Sequence, residues 1–327
     1  MKHALVLLVV LVLAPFVLAE QPPTETSPET LNFDQVFQKN DRVLFVGDEL
    51  TQQMFYTRGI GTAVLALRPG QNIRFINGGY EGATSGSALE WIDDLMGLAK
   101  PTVVFICLGS NDIKAGGDIA AIAQSYETNL EKLVGRIRAD GTVRQVIILS
   151  PPAVERSRDS AQRWSDDNLA LAELSKAAFH VAGRTKSSYI ELLSHLRQVY
   201  VDSRQTEGEE LTRAGMPSEV AHVVIASLVL RGVGVTPKML ESVGWSPLPP
   251  LRMRRVRQAL AISVKPPTLE AAEKSRKLYE SFGEFDERFF RLWRLAPKHP
   301  SLPPREKLQA AVDESWAKVE EAAGAYR

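Results

Sequence analysis

The sequence predicts an α/β fold in which a parallel sheet lies between two layers of helices. Two observations indicate this fold. Short apolar runs alternate with helical stretches between residues 42 and 230, and such alternation forms βαβ units. The run 102–108 is apolar without interruption, which is typical of a parallel strand buried on both faces.

Each element follows from its local composition. Strands are predicted where short runs of β-branched and apolar residues stop at Gly, Asn or Pro, namely at 42–47, 72–76, 102–108, 145–149 and, more weakly, 188–190. Helices are predicted where apolar residues recur at helical spacing, namely at 49–67, 87–99, 118–139, 168–182 and 218–230. Ligands of such folds bind at the carboxyl ends of the strands.

The last third of the chain is predicted to be a helical extension. Residues 246–250 (SPLPP) mark its boundary. A solvated helix face is expected from Arg252, Arg254, Arg255 and Arg257. A helix is predicted from an N-cap at Thr268 to residue 295, and another over 305–323. The first carries an aromatic stripe made of Phe282, Phe285, Phe289, Phe290 and Trp293, which either packs against the α/β part or binds a protein partner.

Composition limits the class of protein. The chain has 327 residues, of which 44% are hydrophobic and 24% charged; this excludes a wholly disordered chain and a multi-pass membrane protein. The 39 basic and 39 acidic residues balance, which argues against electrostatic binding to nucleic acid. A single Cys excludes an internal disulfide and a thiolate-built zinc site. We therefore expect no nucleic-acid partner, no metal and no cofactor.

The N-terminus predicts export. Lys2 and His3 precede an apolar run over residues 4–19, in which Val17 and Ala19 occupy the positions three and one before a cleavage site. The alternative, a membrane anchor, is disfavoured because this run is shorter than the ~20 residues that span a bilayer. We expect residues 1–19 to be a signal peptide cleaved after Ala19, which leaves no stable membrane span and places the protein in the periplasm or outside the cell.

Polar, glycine-containing blocks follow three successive strands. They read GDELT at residues 47–51, NGGYEGAT at 77–84 and LGSND at 108–112. Because the carboxyl ends of parallel strands meet at one edge of a sheet, we expect the three blocks to converge on one pocket.

In order and spacing these blocks resemble the SGNH hydrolases, also called the GDSL esterase/lipase family, over residues 41–232. The resemblance implies a five-stranded, flavodoxin-like sheet and hydrolysis of ester bonds. The family's first block is Gly-Asp-Ser-Leu/Ile-Thr, whose Ser is the nucleophile. The resemblance places the oxyanion-hole donors at Gly82 and Asn111, and we expect Asp48 and Asp112 to support the turns.

The residues that would carry the chemistry depart from the family pattern. The nucleophile position holds Glu49. The family's last block, Asp-x-x-His, corresponds to residues 211–218 (LTRAGMPS). Met216 stands at the His position, and Arg213 or Ala214 at the Asp position, depending on where a one-residue gap is placed. A serine nucleophile needs a base to take its proton, so no intact triad is expected.

Two residues remain as candidates for a changed role. His222, inside the helix after the last block, is a substitute base from outside the family motif, although packing is the commoner role. Glu49 would begin a helix, where the helix dipole favours a carboxylate by roughly 0.3–1 kcal/mol. It could accept the donors of Gly82 and Asn111 and fill the oxyanion hole; a retained ligand cleft and carboxylate-based catalysis are the alternatives.

The sequence thus divides into a signal peptide (1–19), a flexible Pro/Thr/Glu-rich lead-in (20–34), an SGNH hydrolase-like domain (35–240) and a helical extension (241–327). The predicted function is that of an exported, catalytically impaired SGNH/GDSL-type esterase-family protein. It would retain an oxyanion-hole-like cleft for a small acylated or carbohydrate-like ligand. The alternatives are an active acyl or carbohydrate ester hydrolase with unconventional residues, and a partner-binding protein acting through the aromatic stripe; no particular protein partner is indicated.

Overall fold

A computed structural model describes residues 31–154, 161–204, 211–213, 216–260, 265–295 and 302–327. The predicted signal peptide and most of the predicted lead-in therefore lie outside the described residues, as does Ala214. Among the described residues, no helix combines the length and the apolar character needed to cross a membrane.

Five parallel strands form the central sheet. They are β1 (Arg42–Gly47), β2 (Arg74–Gly79), β3 (Val103–Cys107), β4 (Gln145–Leu149) and β5 (Ser188–Ile190). Their order is β2-β1-β3-β4-β5, and each neighbouring pair is parallel. This is the flavodoxin-like order, so the predicted sheet is confirmed.

Helices cover the sheet. They are α1 (Phe33–Val36), α2 (Glu49–Gln52), α3 (Phe55–Leu67), α4 (Ser85–Ala99), α5 (Ile119–Ile137), α6 (Ala161–Arg184), α7 (Leu193–Arg204) and α8 (Glu219–Gly232). A short antiparallel pair, β6 (Thr212–Arg213) and β7 (Met216–Pro217), precedes α8. Phe33 is buried in the core, so packed structure begins slightly before the predicted boundary at residue 35.

Two predicted elements differ from the structure for local reasons. The single helix predicted over 49–67 is two helices, because Met54 adopts a left-handed conformation with φ 69°, which a right-handed helix does not tolerate. The strand predicted over 72–76 continues to Gly79, because Gly78 and Gly79 pair with Val46 and Gly47 of β1 instead of turning.

The C-terminal extension shares the core of the α/β part. It contains α9 (Pro237–Ser242), α10 (Pro250–Ala259), α11 (Leu269–Phe290), a π-helical turn (Arg291–Leu295) and α12 (Arg305–Gly324). Four members of the aromatic stripe, Phe282, Phe285, Phe289 and Trp293, are buried. The stripe therefore packs inside the molecule instead of forming an open face for a partner.

Close contacts join α11 to α3 and β2. The Phe282 ring lies 6.4 Å from that of Phe75 on β2. A Cβ on Gly61 of α3 would come within 2.6 Å of the Phe282 ring, so the glycine permits this approach. Arg58 Nε of α3 donates to Asp286 Oδ2 of α11 at 2.7 Å.

Candidate active site

Glu49 lies directly after β1, at the start of α2. Asp48 caps this helix, since its Oδ1 accepts the N–H of Leu50 at 3.0 Å. The cap fixes the direction in which the chain leaves the sheet. It also places the Glu49 carboxylate at the carboxyl edge of the sheet, beside the loops that follow β2 and β3.

The Glu49 carboxylate gathers three donors. Its Oε2 accepts from Asn111 Nδ2 at 2.7 Å and from the N–H of Gly82 at 3.1 Å, and its Oε1 accepts from Lys114 Nζ at 2.7 Å. The structure thus brings together the three positions that the sequence singled out from three separate blocks. The two donors assigned by resemblance to the oxyanion hole both end on one carboxylate oxygen.

The electrostatics of this cluster favour an ionised Glu49. Burial alone would raise its pKa, but hydrogen bonds from Asn111, Lys114 and Gly82 outweigh it and lower the pKa to about 2. The Glu49 side chain is 18% exposed and that of Lys114 is 51% exposed. Glu49 is therefore a fixed anion at neutral pH, and Lys114 is its half-exposed counter-charge. Lys114 was not among the site residues predicted from the sequence, although it lies only three residues after Asn111 and could have been considered as a counter-charge for Glu49.

Glycines set the shape of the loop that donates to Glu49. Gly82 has φ +75°, in the left-handed region, and nothing lies within 4 Å of a Cβ placed there. A Cβ on Gly79 would fall 2.1 Å from the backbone N of Gln52, so α2 approaches β2 only because this position is glycine. Gln52 Oε1 in turn accepts the N–H of Glu81 at 2.6 Å and holds the loop in place.

Asp48 and Asp112 both form hydrogen bonds within the turns at this edge of the sheet. Asp48 is 2% exposed; its burial and the neighbouring charge of Glu49 raise its pKa to about 7. Asp112 accepts from the N–H of Ser85 at 3.1 Å and from its Oγ at 2.5 Å. Burial raises the pKa of Asp112 despite these bonds. The carboxyl of Asp112 thereby ties the third block to the first turn of α4.

The hydrogen-bond partner of His222 is Gln53 and not Glu49. His222 Nε2 lies 2.9 Å from Oε1 of Gln53, and its ring packs against those of Phe55 and Tyr56. The side chain has no exposed surface, and burial lowers its pKa to about 3. His222 is thus a neutral packing histidine, with one ring nitrogen committed to Gln53.

The last block forms the short antiparallel pair β6–β7. Arg213 and Met216 face each other across the β6–β7 pair, and Ala214 lies outside the described residues. Ser218 follows and caps α8, since its Oγ accepts from the N–H of Ala221. A methionine thioether cannot act as a base at any relevant pH, whichever way it points.

The C-terminal extension also reaches the edge of the sheet. The Trp293 ring lies 6.2 Å from that of Tyr80 and 5.6 Å from that of Trp91. The Arg294 guanidinium carbon lies 3.2 Å from the centre of the Tyr80 ring, and its Nη1 is 3.4 Å from Gln52 Oε1. No local signal in the sequence could have linked these residues to a loop more than two hundred positions away.

No group of three or more metal-ligating side chains occurs among the residues that the structure describes. The groups described at this edge include the ionised Glu49 carboxylate, its three donors and the buried carboxyl of Asp48.

Comparison with solved structures gives matches to enzymes of the same fold. One is BT4096, a gut microbial diltiazem-metabolizing enzyme, with a TM-score of 0.56 and 18% identity over 62% of this chain and 49% of that one. This chain thus spans about half the length of BT4096. Another is a mutant of Axe2, an acetyl-xylooligosaccharide esterase from Geobacillus stearothermophilus, with a TM-score of 0.50 and 20% identity over 62% of this chain and 97% of that one.

Sequence comparisons complete the assignment. Curated protein sequences give no match. The model of the GDSL-like lipase/acylhydrolase family matches residues 45–211, which is just over half of the chain and spans β1 to β5. Since this match and the strand order of the sheet agree, the chain belongs to the GDSL-like lipase/acylhydrolase family.

Proposed function

We propose that the protein is an exported, catalytically impaired member of its family. A glutamate carboxylate accepts the hydrogen bonds that the carbonyl oxygen of an ester substrate would need. The observation that carries this proposal is that Glu49 Oε2 accepts from both Gly82 and Asn111. In acyl transfer such donors stabilise the oxygen that becomes negatively charged in the transition state. A carboxylate already bound there competes with the carbonyl oxygen of any ester.

The residues that stand at the nucleophile and base positions of the resemblance support the same proposal. The family mechanism implied by the resemblance needs a hydroxyl nucleophile and an imidazole that takes its proton. The nucleophile position here holds an ionised carboxylate, and the His position holds Met216. His222 is buried and bonded to Gln53, so it is a poor substitute.

Export is the second part of the proposal and rests on the sequence. The basic Lys2, the apolar run over residues 4–19 and the Val17-x-Ala19 site favour a signal peptide that is cleaved after Ala19. Mass spectrometry of the exported protein should find Glu20 as the first residue. Exported material that retains Met1 would contradict cleavage.

The proposed ligand is a small acylated or carbohydrate-like molecule that contacts the half-exposed Lys114 beside the filled donors. Axe2, a structural neighbour, is named as an esterase of acetyl-xylooligosaccharides. An acetylated xylooligosaccharide is therefore a reasonable first ligand to test for binding without turnover.

An active hydrolase with unconventional residues is the second candidate, and one observation favours it. Asp48 and Glu49 are adjacent carboxyls whose pKa values are about 7 and about 2, and such a separation is how paired acids divide the roles of acid and base. Against this candidate, Asp48 is only 2% exposed and its Oδ1 accepts from the N–H of Leu50.

An esterase assay separates the two candidates. The purified chain is compared with Glu49→Gln, Glu49→Ser and Glu49→Ser/Met216→His on short-chain acyl esters and on acetylated xylooligosaccharides, with circular dichroism as the control for folding. We expect no turnover above background from the wild type, Glu49→Gln or Glu49→Ser. Only the double variant supplies both a hydroxyl and an imidazole, and its rate should stay low, since a misplacement of about an ångström is costly.

Two results would contradict the proposal. Wild-type turnover that disappears in Glu49→Gln would make Glu49 catalytic and favour the active hydrolase. Turnover in Glu49→Ser that disappears when His222→Ala is added would identify His222 as the base.

A further inference from the structure

A second cleft lies in the region where α8 meets the C-terminal extension, between α8, α9 and α10. It is an open cleft of about 430 Å³, a figure that includes the part open to solvent. Its apolar lining is made of Pro237, Leu240, Trp245, Met253, Val256 and Pro267. None of these residues contributes to the cluster around Glu49.

The polar atoms at the base of this cleft are already satisfied by the protein. Trp245 Nε1 donates to the carbonyl oxygen of Gly59 at 3.0 Å, and Ser227 Oγ donates to that of Val223 at 2.9 Å. The side chains of Trp245, Met253 and Val256 are buried. The base therefore offers a ligand mainly hydrocarbon and aromatic surface, which favours an apolar group.

The charges around the cleft are two cations and one anion, Arg257, Lys265 and Glu241. Arg257 is half-buried, and burial lowers the pKa of its guanidinium, with no acidic side chain of the described residues to offset the effect. Its neighbour Arg252 differs, since it pairs with Glu219 at 2.5 Å. Among the described residues Arg257 forms no ion pair, so this half-buried guanidinium beside apolar surface is suited to a ligand that brings a negative charge.

We propose that this cleft binds a small amphipathic anion, namely a carboxylate that carries a short or medium hydrocarbon chain. The chain packs against Trp245, Met253 and Val256, and the carboxylate binds Arg257, with Lys265 adding positive charge. The planar guanidinium can donate two parallel hydrogen bonds to a carboxylate, so the head group contributes specificity as well as charge. The net positive charge of the lining disfavours an amphipathic cation.

Titration calorimetry with octanoate as the probe tests the proposal on the full chain. We expect saturable binding of one octanoate per chain. Arg257→Gln should weaken it about tenfold or more, because a hydrogen bond to a charged group is lost. Arg254→Gln is the matched control, since Arg254 is exposed on the same helix and does not line the cleft; it should leave the affinity unchanged. Octan-1-ol should bind about tenfold more weakly than octanoate.

A second variant tests the position of the site. Leu240→Trp adds bulk to the lining and should abolish octanoate binding, with thermal unfolding as the check that the fold persists. Binding that survives Leu240→Trp, binding without saturation, or no binding at all would overturn the proposed site. Equal affinity of Arg257→Gln and the wild type, or equal binding of octan-1-ol and octanoate, would overturn the role of the anionic head group.

Discussion

Lys114 Nζ lies 2.7 Å from Oε1 of Glu49, so the Glu49 carboxylate is held from both of its oxygens. Asn111 and Gly82 bind the other oxygen. The carboxylate is thus oriented by Asn111, by the loop after β2 and by Lys114. Each of these contacts can be changed separately, and each change has its own expected effect.

Lys114→Met should raise the pKa of Glu49 above its present value of about 2, because one of the three hydrogen bonds that lower it is lost. A carboxylate with a lowered pKa stabilises the fold above its unfolded pKa and loses that contribution as the pH falls towards its folded pKa. The variant should therefore lose stability at neutral pH, by no more than about 1 kcal/mol since Lys114 is half-exposed. Carbon-13 NMR titration of the Glu49 carboxyl measures the shift. Lys132→Met, on an exposed position of α5, is the control; an unchanged Glu49 pKa in Lys114→Met would contradict the prediction.

Gly82→Ala should destabilise the fold by about 1–2 kcal/mol, which is the cost of placing an ordinary residue in the left-handed region. The space around a Cβ at this position is open, so no steric clash adds to that cost. Urea unfolding measures it. Gly97→Ala is the matched control, because Gly97 lies inside α4 with equally open surroundings and alanine should stabilise a helix there by about 0.5–1 kcal/mol. Equal effects of the two substitutions would show that the conformation of the loop is not the cause.

Asp286→Asn should remove a gain in stability that the wild type makes as the pH falls from about 6 to about 4. Burial raises the pKa of Asp286 from 3.8 to about 6, against the opposing charge of Arg58. In this window the folded chain binds a proton that the unfolded chain releases, so the wild type gains stability from Asp286 as the pH falls. The free energy of unfolding, measured from urea titrations at several pH values, tests this. Asp94→Asn, which removes an exposed carboxyl from α4, should keep the wild-type slope; the prediction fails if both variants do.

Arg294→Ala should loosen the loop that carries Gly82, because Arg294 packs on Tyr80 and contacts Gln52, whose Oε1 holds the N–H of Glu81. Hydrogen exchange at the amides of Glu81 and Gly82 should become faster, while exchange in the strands stays the same. Arg291→Ala removes only an exposed ion pair with Glu287 and should not change these amides. Unchanged exchange in Arg294→Ala would mean that the extension does not brace the loop.

The strands and the polar blocks after them could be predicted because their signals are local, whereas the strand order and the roles of Gly82 and Asn111 were implied by the family resemblance. Apolar runs and the glycine-containing blocks after them are visible within a few residues. In a parallel sheet the carboxyl ends of the strands lie at one edge, which brings these blocks together. The division of α2 from α3 could not be predicted, because it depends on a left-handed Met54 in a sequence with no Gly or Pro at that point.

Two further features depend on residues distant in sequence. The start of α7 is fixed by Ser150 at the end of β4, whose Oγ accepts from the N–H groups of Leu192 and Leu193; no helix was predicted there. The contact of Arg294 with the Tyr80 ring is likewise invisible until the chain is folded. Local patterns thus located the cluster around Glu49 but not the residues that surround it.

The burial of Phe282 against β2 and α3 has a consequence for how the chain is made. A polypeptide leaves the ribosome N-terminus first, and the domains of most proteins fold as they emerge. Here Phe282 of α11 packs against Phe75 on β2 and Gly61 on α3, and α11 is synthesised some two hundred residues later. In the nascent α/β part this apolar surface therefore stays uncovered until α11 has been synthesised.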